Sequence, residues 1–225
     1  LLSERIDLAL VIYDLDGTLI DTAGEIALAV NATLIQYGFS AVTEHQVKAW
    51  IGHGTVWLMQ QAWPDKRDVQ AQVTWNTVME NFMQHYKNVV GTISKPYPTA
   101  LDTLTKLKKQ GIKQAIVTNK EEPYTSKILA QHNMKGLFDL LISGNSLPYK
   151  KPDAAVVKYC LEALGETKEN SLFVGDSEID IATAKNAGVT CWVVPYGYNA
   201  GRDIAKANPD KMIDSISKVS GFFNL

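Results

Sequence analysis

Oily stretches of four to six residues recur along the chain, and between most of them apolar positions return at helical spacing. Residues 8–13 (LALVIY), 113–118, 138–143, 171–174 and 190–194 read as strands, and 99–110, 123–132, 152–164 and 179–186 as helices. Gly111, Gly165 and Gly188 stand where three of these helices should end, because glycine takes the left-handed C-cap conformation at little cost. Near-continuously apolar strands alternating with helices imply βαβ units and a parallel sheet. The predicted fold class is therefore α/β.

Residues 22–95 break this rhythm, with no convincing strand pattern. Residues 23–37 repeat apolar positions at helical spacing and stop at Gly38, Thr43 to Gln46 reads as a capping box, and 55–62 and 66–90 continue in helical style. Such a length is too great for a βα crossover. It predicts an inserted helical domain at 22–95, with the α/β core at 1–21 and 96–225. The expected hinges lie near Thr22 and at 94–98, where Pro96 and Pro98 oppose helix.

Composition narrows the classes. The 225 residues are 46% apolar and 20% charged, with a formal net charge of −2, and no basic stripe points to nucleic acid. No stretch approaches the roughly 20 apolar residues of a membrane span. The first oily run is bracketed by Asp7 and Asp14, which is not the order of a secretory signal. The two cysteines, Cys160 and Cys191, read as small core residues and fit a reducing, cytoplasmic setting.

The candidate chemistry lies where the strands end. The first strand runs into Asp14-Leu-Asp16-Gly-Thr18, the second into Thr118-Asn119-Lys120, and a later one into Gly175-Asp176-Ser177-Glu178-Ile179-Asp180. Lys150-Lys151-Pro152-Asp153 precedes a helix. A parallel sheet would bring all four to one edge, where ligands of open α/β sheets bind. Clustered carboxylates raise one another's pKa unless a cation joins them. An oxygen-only donor set calls for a hard ion such as Mg2+, and that pairing favours a phosphate group, with Thr118 and Lys151 able to hold its oxygens. Asp21 and Glu178 fit ordinary helix-start or solvated positions, and Gly17 and Gly175 fit tight turns.

"DLDGTLID", "VTN", the Lys-Pro of "KKPD" and "GDSEID" resemble, in order, the four motifs of the haloacid dehalogenase superfamily. The helical insert after the first motif resembles a C1-type cap. The resemblance spans nearly the whole chain and implies a Rossmann-like parallel core with that cap. It implies Asp14 as nucleophile, forming an aspartyl-phosphate, and Asp16 as general acid and then general base. It implies Mg2+ held by the Asp14 and Asp176 carboxylates and the Asp16 main-chain carbonyl, with Asp180 in support. Thr118, the Asn119 N–H and Lys151, rather than Lys150, would hold the phosphoryl group.

The substrate is read from finer likenesses. Asp16 argues against a dehalogenase, which lacks this residue, and no lysine among Lys48, Lys66 and Lys87 sits in the apolar pattern that a phosphonatase Schiff base would need. Residues 194–216, with Tyr196-Gly-Tyr-Asn199, together with "NAGVTCWVV" before them and "WIGHG" at 50–54, are similar to the phosphoglycolate phosphatase branch. One departure is "TNKEEPY", where that branch often has a shorter polar step. In C1-capped relatives the loop at Gly52, His53 and Gly54 faces the substrate, although a Gly-x-Gly also suits a plain helix–helix turn. Trp50, Trp57, Trp63 and Trp75 are expected in the insert's core. The expected partner is a small phosphorylated metabolite, with neither nucleic acid nor membrane, and the chain a monomer or homodimer. Alternatives are a broad sugar-phosphate or nucleotide phosphatase, a β-phosphoglucomutase-like mutase, and a non-enzymatic phospho-ligand binder. No catalytic motif is lost, which disfavours the last.

Overall fold

Every position of β1 (Leu10–Tyr13) is buried, and its side chains alternate between two hydrophobic clusters, Val11 and Tyr13 on one face and Leu10 and Ile12 on the other. Burial on both faces makes it a central strand, and each such aliphatic side chain contributes about 1.5–3 kcal/mol. The computed structural model describes residues 8–64 and 74–221. Among them β2 is Ile20–Asp21, β3 Lys95–Pro96, β4 Lys113–Val117, β5 Leu140–Ile142, β6 Ser171–Gly175, β7 Thr190–Val193 and β8 Lys211–Met212. Six strands form one parallel sheet in the order β5-β4-β1-β6-β7-β8.

The helices are α1 (Ala23–Gln36), α2 (Glu44–Lys48), α3 (Thr55–Ala62), α4 (Trp75–Val89), α5 (Ala100–Lys109), α6 (Tyr124–Gln131), α7 (Ala155–Leu164), α8 (Glu178–Ala187) and α9 (Ser217–Gly221). Val156 and Cys160 of α7 and Ile181 and Ala184 of α8 cover the face that carries Leu10 and Ile12. Leu104 of α5 and Ile128 of α6 cover the other face, and that cluster continues into α1, α3 and α4. Gly165 and Gly188 end α7 and α8 in the left-handed conformation. The predicted strands and helices of the sheet region are all present, each within a few residues of its expected bounds.

Between β2 and β3 the described residues are helical, with no strand among them. α2 opens with the expected capping box: Thr43 Oγ1 accepts the Gln46 N–H at 3.2 Å, and Gln46 Oε1 accepts the Thr43 N–H at 2.9 Å. The helix expected at 66–90 is described as α4, while Lys66 and the rest of 65–73 lie outside the described residues. Trp63 is buried edge-to-face against Tyr37, Phe39 and Trp75. Trp57 departs from expectation: it is 43% exposed, with its ring 5.1 Å from that of His53. β2 and β3 pair antiparallel, Ile20 with Pro96 and Asp21 with Lys95, so the chain leaves and re-enters the sheet region through one short ribbon. Elements of two residues leave no periodicity to read, which is why this ribbon and β8 were not foreseen. Among the described residues no helix is long and apolar enough to cross a membrane.

Candidate active site

Strand order assembles the site. β1 lies between β4 and β6, with Tyr13 level with Ile116 on one side and Val174 on the other. The chain segments that follow, Asp14–Asp16, Thr118–Lys120 and Asp176–Asp180, therefore emerge side by side. The Asp14 N–H still donates to the Val174 carbonyl at 2.9 Å, which extends the ladder one residue and holds this carboxylate at the mouth.

One carboxylate oxygen from each of Asp14, Asp176 and Asp180 lies within 4.8 Å of the others, and all three residues are buried. Lys151 Nζ reaches Asp14 Oδ1 and Asp180 Oδ1, both at 2.7 Å. Asp180 has a second duty. Its Oδ2 accepts the backbone N–H of Asp176 (3.1 Å) and of Ser177 (3.0 Å) and the Ser177 hydroxyl (2.8 Å), which makes it the N3 half of the capping box that opens α8. Asp176 accepts the Thr18 hydroxyl at 2.8 Å and the Tyr198 N–H at 2.5 Å.

Glycines make this packing possible. Gly17 has φ +91°, and a Cβ there would lie 2.3 Å from Asp176 Oδ2; a Cβ on Gly197 would lie 2.2 Å from the same oxygen. No larger residue fits at either place without moving the carboxylate.

Charge and burial set the electrostatics. Burial pushes the Asp14 carboxyl up to about 6, with Lys151 opposing and Asp180 adding to the rise. Asp176 is held well above the ordinary carboxylate range by burial, then by Asp180 and Asp14, against the donors from Tyr198 and Thr18. Burial would depress the Lys151 ammonium, but Asp14 and Asp180 outweigh it and raise it. Three clustered carboxylates thus share one lysine, which reaches only Asp14 and Asp180, in a site nearly closed to solvent. The donors are all oxygen and the site is short of positive charge, which suits a hard divalent cation.

The Asp16 carboxylate stands apart from this trio. It pairs with Lys120, whose Nζ lies 2.9 Å from Oδ1 and 3.1 Å from Oδ2 and also reaches the Tyr86 hydroxyl on α4. Asn119 Nδ2 donates to the carbonyls of Lys151 (3.0 Å) and Gly52 (2.8 Å), tying the loop before α7 to the helical insert.

A model of the haloacid dehalogenase-like hydrolases matches residues 11–194, the span that carries every carboxylate and lysine of the site. The chain belongs to that family. This haloacid dehalogenase-like hydrolase is 38% identical over 212 residues to a phosphoglycolate phosphatase of Pseudomonas fluorescens, covering 93% of this chain and 78% of the relative. It is 33% identical over 216 residues to the phosphoglycolate phosphatase of Vibrio parahaemolyticus, covering 95% of each. The crystal structure of a predicted phosphoglycolate phosphatase from Haemophilus somnus superposes with a TM-score of 0.89 at 33% identity, covering 96% of this chain and 97% of that one.

The hydrolase's cleft, about 500 Å³ with its open mouth included, is walled by Asp14, Asp16, Thr118, Asn119, Lys120 and Lys151 from the sheet edge. Gly52, Gly54, Thr55, Leu58, Phe82 and Tyr86 close it from the insert. Asp14, Asp16, Thr118, Asn119, Lys151, Asp176 and Asp180 are thus brought to one edge. Lys151 is buried and its neighbour Lys150 exposed. Gly52 and Gly54 face the cleft, whereas His53 turns to a neighbouring groove beside Trp57, Glu178 and Arg202. Asp21 is no free loop residue: the Tyr198 hydroxyl donates to it and accepts the N–H of Thr22 (2.9 Å) and Ala23 (3.1 Å). Glu178 pairs at the surface with Arg202 at 3.1 Å.

Thr18 and Lys120 stand in the candidate segments without an assigned role, Tyr86 carries no signal in the sequence, and Tyr198 is legible only as part of a family-like stretch, not as a direct contact of Asp176. Lys120 borders a motif and Tyr198 sits in a stretch with a family likeness, but neither partner is near in sequence. Cys160 and Cys191 are free and buried, as expected of core residues, and burial pushes the Cys160 thiol up to about 12.

Proposed function

We propose that this phosphatase hydrolyses 2-phosphoglycolate to glycolate and phosphate through an aspartyl-phosphate on Asp14. The observation that carries the chemistry is the pair of carboxylates at the end of β1. Asp14 sits among Lys151, Asp176 and Asp180, while Asp16, two residues on, faces the same cleft from a separate position. The names of relatives that align over nearly the whole chain support the substrate.

An Asp14 oxygen attacks phosphorus; the new P–O bond forms as the ester P–O bond breaks. Asp16 delivers a proton to the departing glycolate oxygen. It then takes a proton from the water that cleaves the aspartyl-phosphate, splitting one hard displacement into two. Thr118, the Asn119 N–H and Lys151 hold the phosphoryl oxygens. Asp14, Asp176 and the Asp16 carbonyl would hold Mg2+, with Asp180 orienting that set from beside Lys151. Bound there, the ion neutralises charge on the phosphate and on the crowded carboxylates.

α1–α4 act as a cap on the β2–β3 ribbon, opening for substrate and closing to exclude water. The partner is a small phosphorylated metabolite in a reducing cytoplasm, consistent with two free buried cysteines. One observation favours a broader sugar-phosphate reading. Glu121 lines the cleft, and its buried Oε2 has no partner among the described residues, so it suits a substrate hydroxyl.

The test is phosphate release with Mg2+ from phosphoglycolate, sugar phosphates, nucleoside monophosphates and pyrophosphate, beside Asp14→Asn. Preference for phosphoglycolate, lost in the variant, is expected. Equal rates on sugar phosphates would overturn the substrate, and activity surviving in Asp14→Asn would overturn the nucleophile.

A further inference from the structure

The first two aspartates of the opening motif each meet a buried lysine, Lys151 for Asp14 and Lys120 for Asp16. The Lys120 side chain is 2% exposed. Its ammonium has three N–H donors and three acceptors in reach: both oxygens of Asp16, at 2.9 and 3.1 Å, and the Tyr86 hydroxyl. The chain of contacts continues into the cap. Tyr86 lies 3.5 Å from Glu25 Oε1 on α1, and the other oxygen of that fully buried carboxylate accepts the Gly91 N–H at 2.8 Å. The Lys120 ammonium also sits 4.9 Å from the centre of the Tyr86 ring. A core carboxylate is therefore held, through a core lysine, by two residues of the cap.

We propose that Lys120 is a positioning residue for Asp16, fixing the plane of its carboxylate against the leaving oxygen, and that Tyr86 completes this hold only when the cap is closed. The proposal rests on the reading of Asp16 as acid and base. Terminal carboxylate torsions are broad, so a carboxylate that must deliver a proton along one line needs a fixed partner. Lys120 engages both oxygens of the ionised carboxylate, the form left once the proton has been delivered and the form that then takes a proton from water, and so removes that freedom. When α4 moves away, the third donor loses the Tyr86 hydroxyl and the ammonium is free to turn to water. Cap closure and proton delivery are thus coupled by one side chain, and a site left open to water is a poor catalyst.

The test varies the leaving group. An aryl phosphate departs without protonation, whereas an alkyl phosphate needs the acid. kcat/KM covers only steps through departure of the alcohol, so hydrolysis of the aspartyl-phosphate drops out of it. Lys120→Met, Lys120→Arg, Tyr86→Phe and Asp16→Asn would be assayed on 2-phosphoglycolate, ethyl phosphate and p-nitrophenyl phosphate. For Lys120→Met, the loss on ethyl phosphate is expected to exceed that on the aryl ester by about 30-fold or more, a part of the 10²–10⁴ that general acid catalysis contributes. Tyr86→Phe, which keeps the ring, is expected to show the same pattern at about 3–10-fold, and it carries the test should Lys120→Met not fold.

Equal losses on all three esters would reduce Lys120 to a structural role and overturn the proposal. Loss confined to phosphoglycolate would also overturn it, since that marks Lys120 as a binder of the substrate carboxylate. Ethyl phosphate has no carboxylate, so these arms stand even if the natural substrate is another phosphate monoester. A flat pattern in Asp16→Asn would instead refute the acid reading of Asp16, and the proposal with it.

Discussion

Replacing Lys151 by Met tests the electrostatics of the site most directly. The ammonium lies 2.7 Å from one oxygen of Asp14 and 2.7 Å from one of Asp180, and its side chain is 3% exposed. At that distance and an effective dielectric of about 20, each contact amounts to ~6 kcal/mol of attraction. Desolvation of three charged groups offsets much of it, and removing one partner from a buried pair costs about 3–5 kcal/mol. In urea, with a slope of about 2–3 kcal/mol per molar, the metal-free midpoint at pH 8 should fall by about 1–2 M.

The pH dependence has a definite sign. Asp14 titrates near 6 in the folded chain against an ordinary 3.8, so its contribution is most favourable below 3.8 and is lost as pH rises through 6. Lys151 is the main force lowering that value, after burial has raised it. Its removal lifts Asp14 further and extends the window upward. The deficit of Lys151→Met should therefore be smaller at pH 5 than at pH 8, and saturating Mg2+ at pH 8 should narrow it by supplying the missing charge. Denaturation curves at both pH values, with chelator and with Mg2+, decide the matter. A deficit unchanged by pH and unchanged by Mg2+ would refute the charge argument and leave only lost packing.

Asp14→Asn should abolish phosphate release yet raise metal-free stability at pH 8 by about 1–3 kcal/mol, read by denaturant titration. The shift from 3.8 to about 6 places ~3 kcal/mol against the ionised form. Gly197→Ala puts a Cβ 2.2 Å from Asp176 Oδ2; the Mg2+ concentration for half-maximal activity should rise about 10–100-fold, as for lost support of a metal ligand, and an unchanged value would remove Asp176 from that set. Tyr198→Phe removes the hydroxyl shared by the N–H groups of Thr22 and Ala23 and by Asp21. A loss of about 2 kcal/mol, or 4–8 °C in Tm, is expected, with faster amide exchange at residues 22 and 23.

How much was legible in the sequence follows from the range of the forces involved. β1, β4, β6 and β7 announce themselves as oily runs because both faces of a central parallel strand are buried, and α1 and α8 are bounded by residues that read locally, Gly38 and Gly188. Placing Asp14, Thr118, Lys151 and Asp176 on one edge required only that the strands be parallel, since each motif directly follows a strand or precedes a helix. The ribbon of β2 and β3 was hidden, because two residues carry no period. The double role of Asp180 was hidden too: Ser177-x-x-Asp180 is itself a capping signal, and only the fold turns its second oxygen toward Lys151 and Asp14. His53 and Trp57 show the limit on a short loop, where one residue's rotation separates the cleft from the outer groove.

By itself the sequence determined the parallel α/β core, the helical insert and the set of carboxylates, because those depend on local propensity, burial periodicity and motif order. Only the tertiary structure decided which charges meet. Lys120 pairs with Asp16 across 104 positions, and Tyr198 reaches Asp176 across 22 and Thr22 across 176. Such contacts are set by the packing of the helices between β2 and β3 on the sheet region and of loop on loop, and an electrostatic interaction that acts over a few ångströms leaves no trace in a sequence separation of that size.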